Sequence, residues 1–171
     1  KHKIFPFEDW EIEYPTNTEV PRLPTLTIKH QRILMRHLIE KPTAQNIGVL
    51  LALCTGMRIG EVCALQWQDV DFRQRIITVR HTVGRVYNCE LKVTEKIHSS
   101  PKTRNSYRDI PISKHLFQCL KTVKKVSTSP YVVGSSEHSK EPRSYRDYFS
   151  RLLKRLEIPQ IVFHGLRHTF A

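Results

Sequence analysis

Ile47-Gly-Val-Leu-Leu-Ala-Leu-Cys54-Thr-Gly-Met-Arg58-Ile-Gly-Glu61 runs from an apolar block into a tight turn, then out past an arginine and a glutamate. Ile47 to Cys54 is apolar on nearly every side, the pattern of a helix enclosed by other elements rather than lying on a surface. Gly56 is well placed to end it, because glycine adopts the left-handed backbone that closes a helix C-terminus at little steric cost. Arg58 therefore emerges at a helix boundary. Ile59 to Leu65 reads as a short following helix with Val62 and Leu65 inward.

Upstream, Thr27 can cap a helix carrying Ile28, Ile33, Leu34, Leu38 and Ile39 at imperfect helical spacing, with Pro42 marking its exit and Thr43 offering a second cap. Downstream, Trp67, Val70 and Phe72 read as an apolar anchor on a loop, and Ile76–Val79 as a strand. Further β-type runs cover Leu91 to Ile97 and Tyr107 to Ile112. The residues between them, Ser99-Ser-Pro-Lys102-Thr-Arg104-Asn-Ser, have turn composition, so Lys102 is expected near a hairpin tip. Ser113 precedes an amphipathic helix with Leu116, Leu120 and Val123 inward, and Tyr145, Phe149, Leu152, Leu153 and Leu156 mark another. Ser127 to Pro142 reads as loop, with a short strand at Tyr131-Val-Val133. After Pro159, Gly165 allows a close turn into a last helix from about Leu166. The expected class is α+β, mainly helical, with a small antiparallel sheet on one side.

The chain has 171 residues, enough for one core of ordinary domain size. Residues 1–25 hold four prolines and no sustained period, and read as a linker or the tail of an upstream domain, with the compact domain at 26–171. A net charge of +12 favours an anionic partner. No basic amphipathic helix rich in exposed aromatics, membrane-length apolar run or secretory leader stands out, which places nucleic acid ahead of a membrane. Cys54, Cys63, Cys89 and Cys119 form no CxxC pair and read as buried thiols of a reducing cytosol rather than a zinc site or disulfide framework.

The chemistry concentrates at two places. Arg58 and Arg167 lie 109 positions apart, each near a glycine at an expected helix boundary, and each can fork two donors onto phosphate oxygens. Two fixed arginines can stabilise the equatorial charge of phosphoryl transfer without a metal, and the sequence offers no clustered Asp/Glu set for two-metal chemistry. His164, three positions before Arg167, can donate to a phosphate oxygen or exchange a proton near neutral pH. Lys102, with Arg104 nearby, suits an ammonium delivered to a leaving oxygen.

With Thr55-Gly-Met-Arg58-Ile-Gly-Glu61, Pro101-Lys102-Thr-Arg104 running to Arg108-Asp-Ile-Pro111, and His164-Gly-Leu-Arg167-His168-Thr-Phe-Ala171, the sequence resembles the catalytic domain of the tyrosine recombinases, or phage integrases. The likeness covers roughly Leu26 to Ala171 and is nearest to integrases of conjugative transposons and temperate phages. It implies site-specific cutting and rejoining of double-stranded DNA through a 3′-phosphotyrosine, with no ATP, cofactor or metal. It implies Arg58 and Arg167 as phosphate clamp, Lys102 as general acid toward the 5′ oxygen and His164 as a proton-handling contact. Glu61 and His168 would support them, and Arg104 would join the DNA contacts. Family members assemble as tetramers on DNA at synapsis.

The family's nucleophilic tyrosine follows the second arginine motif. Tyr14, Tyr87, Tyr107, Tyr131, Tyr145 and Tyr148 all precede His164, and Tyr145 and Tyr148 fall on an apolar helical face suited to packing. The segment is thus expected to be C-terminally incomplete, monomeric, and able to bind DNA without cleaving it; in the cell it is expected in the bacterial cytoplasm, on the nucleoid. Plainer roles exist for each residue. Arg58 can cap carbonyls, Glu61 can balance a helix N-terminus, His168 can satisfy a backbone group, and Lys102 and Arg104 can be solvated turn charges. Two other functions fit the same basic surface: a non-enzymatic DNA-binding module and a type IB topoisomerase-like domain.

Overall fold

The computed structural model describes residues 24–88, 93–99, 107–134 and 137–170. The linker stretch at 1–23, Cys89, Leu91, and the turn carrying Lys102 and Arg104 lie outside the described residues.

Helix α1 (Ile28–Glu40) starts at Thr27, whose hydroxyl accepts the His30 amide at 3.3 Å. Leu34 and Leu38, one turn apart, are buried, whereas Ile28 and Ile33 are 69% and 37% exposed and lie off that stripe. Thr43 does act as a cap, its hydroxyl accepting the Asn46 amide at 3.1 Å. Helix α2 (Asn46–Thr55) follows, and nine of its ten residues are buried, so it forms the centre around which the other elements pack. Gly56 ends it at φ +64°. The chain then turns through Arg58 into helix α3 (Ile59–Ala64).

The Trp67 segment expected as loop is a 3-10 turn, Trp67–Asp69, leading into strand β1 (Val70–Asp71). Its anchoring role holds: Trp67 is buried, its indole N–H donates to Ser127 Oγ at 3.0 Å, and its ring stacks on Phe72. Strand β2 (Ile76–Val79) pairs antiparallel with β1 on one edge and with strand β5 (Arg108–Pro111) on the other, Val79 opposite Arg108. Strands β3 (Thr82–Asn88) and β4 (Val93–Ser99) form a separate two-stranded antiparallel ribbon.

One expectation is refined here: among the described residues the small antiparallel sheet is in two parts, the three-stranded β1-β2-β5 and the β3-β4 ribbon. The turn expected to carry Lys102 at a hairpin tip, between β4 and β5, lies outside the described residues. The sequence concealed β3, the partner of β4, because Thr82–Asn88 contains Gly84 and its apolar residues Val83, Val86 and Tyr87 follow no strict alternation. Tyr131 makes a single bridge to Gln66 rather than a strand, while Val132 and Val133 are fully buried.

Helix α4 (Lys114–Val126) buries Leu116, Cys119, Leu120 and Val123, and helix α5 (Pro142–Arg155) buries Tyr145, Phe149, Leu152 and Leu153. Tyr145 and Tyr148 behave as packing residues. Their hydroxyls donate to the Gln45 carbonyl and to Asn46 Oδ1, fastening α5 to the start of α2, about 15 Å along that helix from Gly56. Helix α6 (His164–Phe170) begins two residues earlier than expected, so His164 opens the helix instead of preceding it. Cys54, Cys63 and Cys119 are not joined in disulfides, and burial together with Cys119 pushes the Cys54 thiol up to about 11. No described helix is long and apolar enough to cross a membrane.

Candidate functional site

Arg58 stands at the N-cap of α3 in extended backbone (φ −73°, ψ 153°). Its amide donates to Glu61 Oε2 at 2.9 Å, so Glu61 reaches back over the first turn as a capping carboxylate. The reciprocal half of a capping box is absent in kind, because a guanidinium has no acceptor. Arg58 instead donates from Nη1 to Glu61 Oε1 at 3.1 Å, and its side chain stays 53% exposed beside a carboxylate only 4% exposed.

Helix α3 is seated by Gly60. A Cβ there would stand 2.6 Å from the Val83 carbonyl oxygen and 2.5 Å from Thr82 Oγ1, so only glycine lets the helix backbone lie against β3. Arg108, from the neighbouring sheet, forks onto the same Glu61: Nη2 donates to Oε2 at 2.8 Å and Nη1 to Oε1 at 3.1 Å. Burial pushes the Glu61 carboxyl up, but donors from Arg108 and Arg58 outweigh it and hold the group below the usual carboxylate range.

Arg167 reaches this place from the far end of the chain. Its Nη1 donates to the Gly56 carbonyl at 2.6 Å, within the turn that delivers Arg58. The carbonyl-capping role that could have belonged to Arg58 thus falls to Arg167, which still has four further N–H donors. Phe170, one turn on, lies against Gly56. His164, on the first turn of α6, is exposed, and its ring meets His168 edge to face with centroids 4.8 Å apart. Partial desolvation, then the charges of His168, Arg167 and Arg58, hold the His164 imidazole below its ordinary 6.5.

Three of the four residues expected at the reaction centre are therefore brought together: Arg58, Arg167 and His164, with Glu61 and His168 beside them. Lys102 and Arg104 lie outside the described residues. The residue that sequence reasoning overlooked is Arg108. It sits in the Arg108-Asp-Ile-Pro111 run, which reads as strand and as part of the family motif without a site role of its own, and only its two bonds to Glu61, 47 positions away, reveal one.

The arrangement is a cationic surface open to solvent, with arginine donors and a neutral imidazole able to take or give a proton. That is the donor set for an anionic oxygen such as a phosphate. A cleft of about 470 Å³, lined by His37, Lys41, Tyr148 and Arg155 among others, lies at the opposite end of α2 and contains none of these groups. Among the described residues, no group of three or more His, Cys, Asp or Glu is placed to hold a metal ion.

Comparison with known proteins is consistent across three measures. The family model described as Phage integrase family matches residues 25–171. A tyrosine recombinase XerC-like protein of Caldanaerobacter subterraneus subsp. tengcongensis is 28% identical over 141 residues, covering 71% of this chain and 36% of that protein. The transposase from transposon Tn916 of Enterococcus faecalis is 25% identical over 170 residues, covering 89% of this chain and 41% of the transposase. Among solved structures, the Tn1549 transposon integrase in complex with transposon right end DNA superposes with a TM-score of 0.69 at 22% identity. That match covers 89% of this chain and 53% of the integrase. The chain thus spans roughly two-fifths of the length of these curated relatives.

Proposed function

The chain belongs to the phage integrase family and has the fold of a tyrosine-recombinase catalytic domain, and from that membership we propose that it serves a site-specific recombinase that cuts and rejoins double-stranded DNA without a metal. In this reading Arg58 and Arg167 hold the non-bridging oxygens of the scissile phosphate, and their charge offsets the negative charge that builds there in the transition state. A tyrosine supplied by the complete protein passes its phenolic proton to His164 and attacks phosphorus, the 5′ oxygen leaves, and a 3′-phosphotyrosine forms. Lys102 gives the leaving oxygen its proton. The freed 5′-hydroxyl of a partner strand then attacks the phosphotyrosine and regenerates the phenol, so the bond energy is conserved and no ATP is consumed. His164 donates to a phosphate oxygen or takes up a proton at the same place, with His168 and Glu61 holding the frame.

The observation that carries this reading is the meeting of Arg58, Arg167 and His164 at the C-terminal end of α2. Arg167 is tied to the Gly56 carbonyl at 2.6 Å, and the charges of both arginines act on His164. Tetramer formation at synapsis, monomeric behaviour of this segment alone, and residence in the bacterial cytoplasm at the DNA belong to the same proposal.

The test is to express the protein from its complete gene and incubate it with a nicked copy of its own recombination site. A covalent protein–DNA adduct, lost in Arg58→Ala and Arg167→Ala, is the expected result. DNA binding with no adduct would instead identify a non-enzymatic binding module. Relaxation of supercoiled plasmid without strand exchange would identify a topoisomerase-like activity.

A further inference from the structure

Glu61 presents a saturated carboxylate. Oε1 accepts from Arg58 Nη1 and Arg108 Nη1, both at 3.1 Å, and Oε2 accepts from the Arg58 amide at 2.9 Å and Arg108 Nη2 at 2.8 Å. An ionised carboxylate has about four acceptor positions, and all are in use. Two belong to Arg58 and two to Arg108. Arg58 consequently spends one guanidinium N–H on Glu61, and its side chain remains half exposed.

We propose that Arg108 is a positioning residue for Arg58, acting through Glu61: its fork occupies half of the buried carboxylate and balances its charge, which keeps the Arg58 guanidinium available to a phosphate. Remove Arg108, and Glu61 becomes a buried anion with two empty acceptor positions and Arg58 as its partner within reach. The guanidinium is then drawn inward into a two-pronged pair, and its charge is spent on the carboxylate instead of the substrate. Arg108 needs no contact with DNA to do this. The inference rests on Arg58 being a phosphate contact, as proposed above.

The experiment is a double-mutant cycle on the 171-residue chain, read as affinity for a fluorescent duplex DNA by anisotropy, with thermal melts to hold the folded fraction constant. Arg108→Gln is expected to weaken binding about tenfold. In a Glu61→Gln background, where no charge is left to balance, the same change should move affinity less than twofold. Arg108→Lys, which restores the charge but not the fork, should recover most of the loss. If Arg108→Gln does not fold, the Arg108→Lys cycle asks the same question with a smaller factor.

An unchanged affinity in Arg108→Gln overturns the proposal. So does an equal loss in the Glu61→Gln background, which would mark Arg108 as a direct DNA contact. Failure of the underlying reading looks different: Arg58→Ala would bind DNA as the unaltered chain does, and the positioning role, which acts only through Arg58, would fall with it.

Discussion

At the residue scale the two arginines are chemically alike but structurally unequal. Arg167 ties α6 to the turn after α2, whereas Arg58 makes its side-chain bond to its own helix cap. Arg167→Ala should therefore lower both stability, by about 1 kcal/mol for the lost carbonyl bond, and DNA affinity. Arg58→Ala should lower affinity, and because it also takes one charge-assisted donor from the buried Glu61 carboxylate, leaving Arg108 and the residue-58 amide as its remaining donors, the melting temperature should fall as well. Parallel melts and binding isotherms separate the two effects. The imidazole of His164 is held below its ordinary 6.5, so the free protein carries it neutral at pH 7. A folded-state value below the unfolded one means that this group's contribution to stability is full above 6.5 and is lost as pH falls through the folded value. A bound phosphate acts in the opposite sense by favouring the imidazolium. DNA affinity should thus rise as pH is lowered through the window below 6.5, and His164→Gln should flatten that part of the profile. Glu61, also depressed, contributes above its ordinary 4.5 and loses that contribution as pH falls through its folded value. Acid unfolding followed by circular dichroism should begin at a higher pH in Arg108→Lys than in the unaltered chain.

At the element scale, the site depends on how closely α3 lies on β3. Gly60→Ala would place a methyl 2.6 Å from the Val83 carbonyl oxygen, and because that atom is backbone it cannot swing aside. The expected cost is on the order of 1–3 kcal/mol of overpacking, accompanied by loss of DNA affinity as Arg58 moves with its helix. A chemical-shift map confined to α3 and β3 would accompany it, and shifts spread evenly over the domain would contradict this account. Much of this level was readable beforehand. The apolar Ile47–Cys54 run, the Gly56 stop and the Thr27 cap foretold α1, α2 and their boundaries, because local periodicity and capping chemistry act within a few residues. Strand β3 was not readable, and neither was the pairing of β5 with β2. Strand pairing is a long-range choice, and a short run containing Gly84 carries little local preference of its own.

At the scale of the whole molecule, a net charge of +12 predicts binding dominated by release of counterions from DNA. If four phosphates are neutralised, raising salt from 50 to 200 mM should weaken binding by roughly a hundredfold, and each arginine removed from the site should reduce the slope by about one contact. A salt-insensitive isotherm would count against DNA as the partner. The sequence by itself determined the α+β class and the buried central helix, and it put forward Arg58, His164 and Arg167 as a candidate set, because residue type, spacing and turn chemistry are local properties. Only the tertiary structure decided that Arg167 bonds to the Gly56 carbonyl, that His164 opens its helix, and that Arg108 shares Glu61 with Arg58. Each of these joins groups far apart along the chain. Their meeting is set by how helices and strands pack around α2, a global balance of burial and geometry that no stretch of sequence encodes alone.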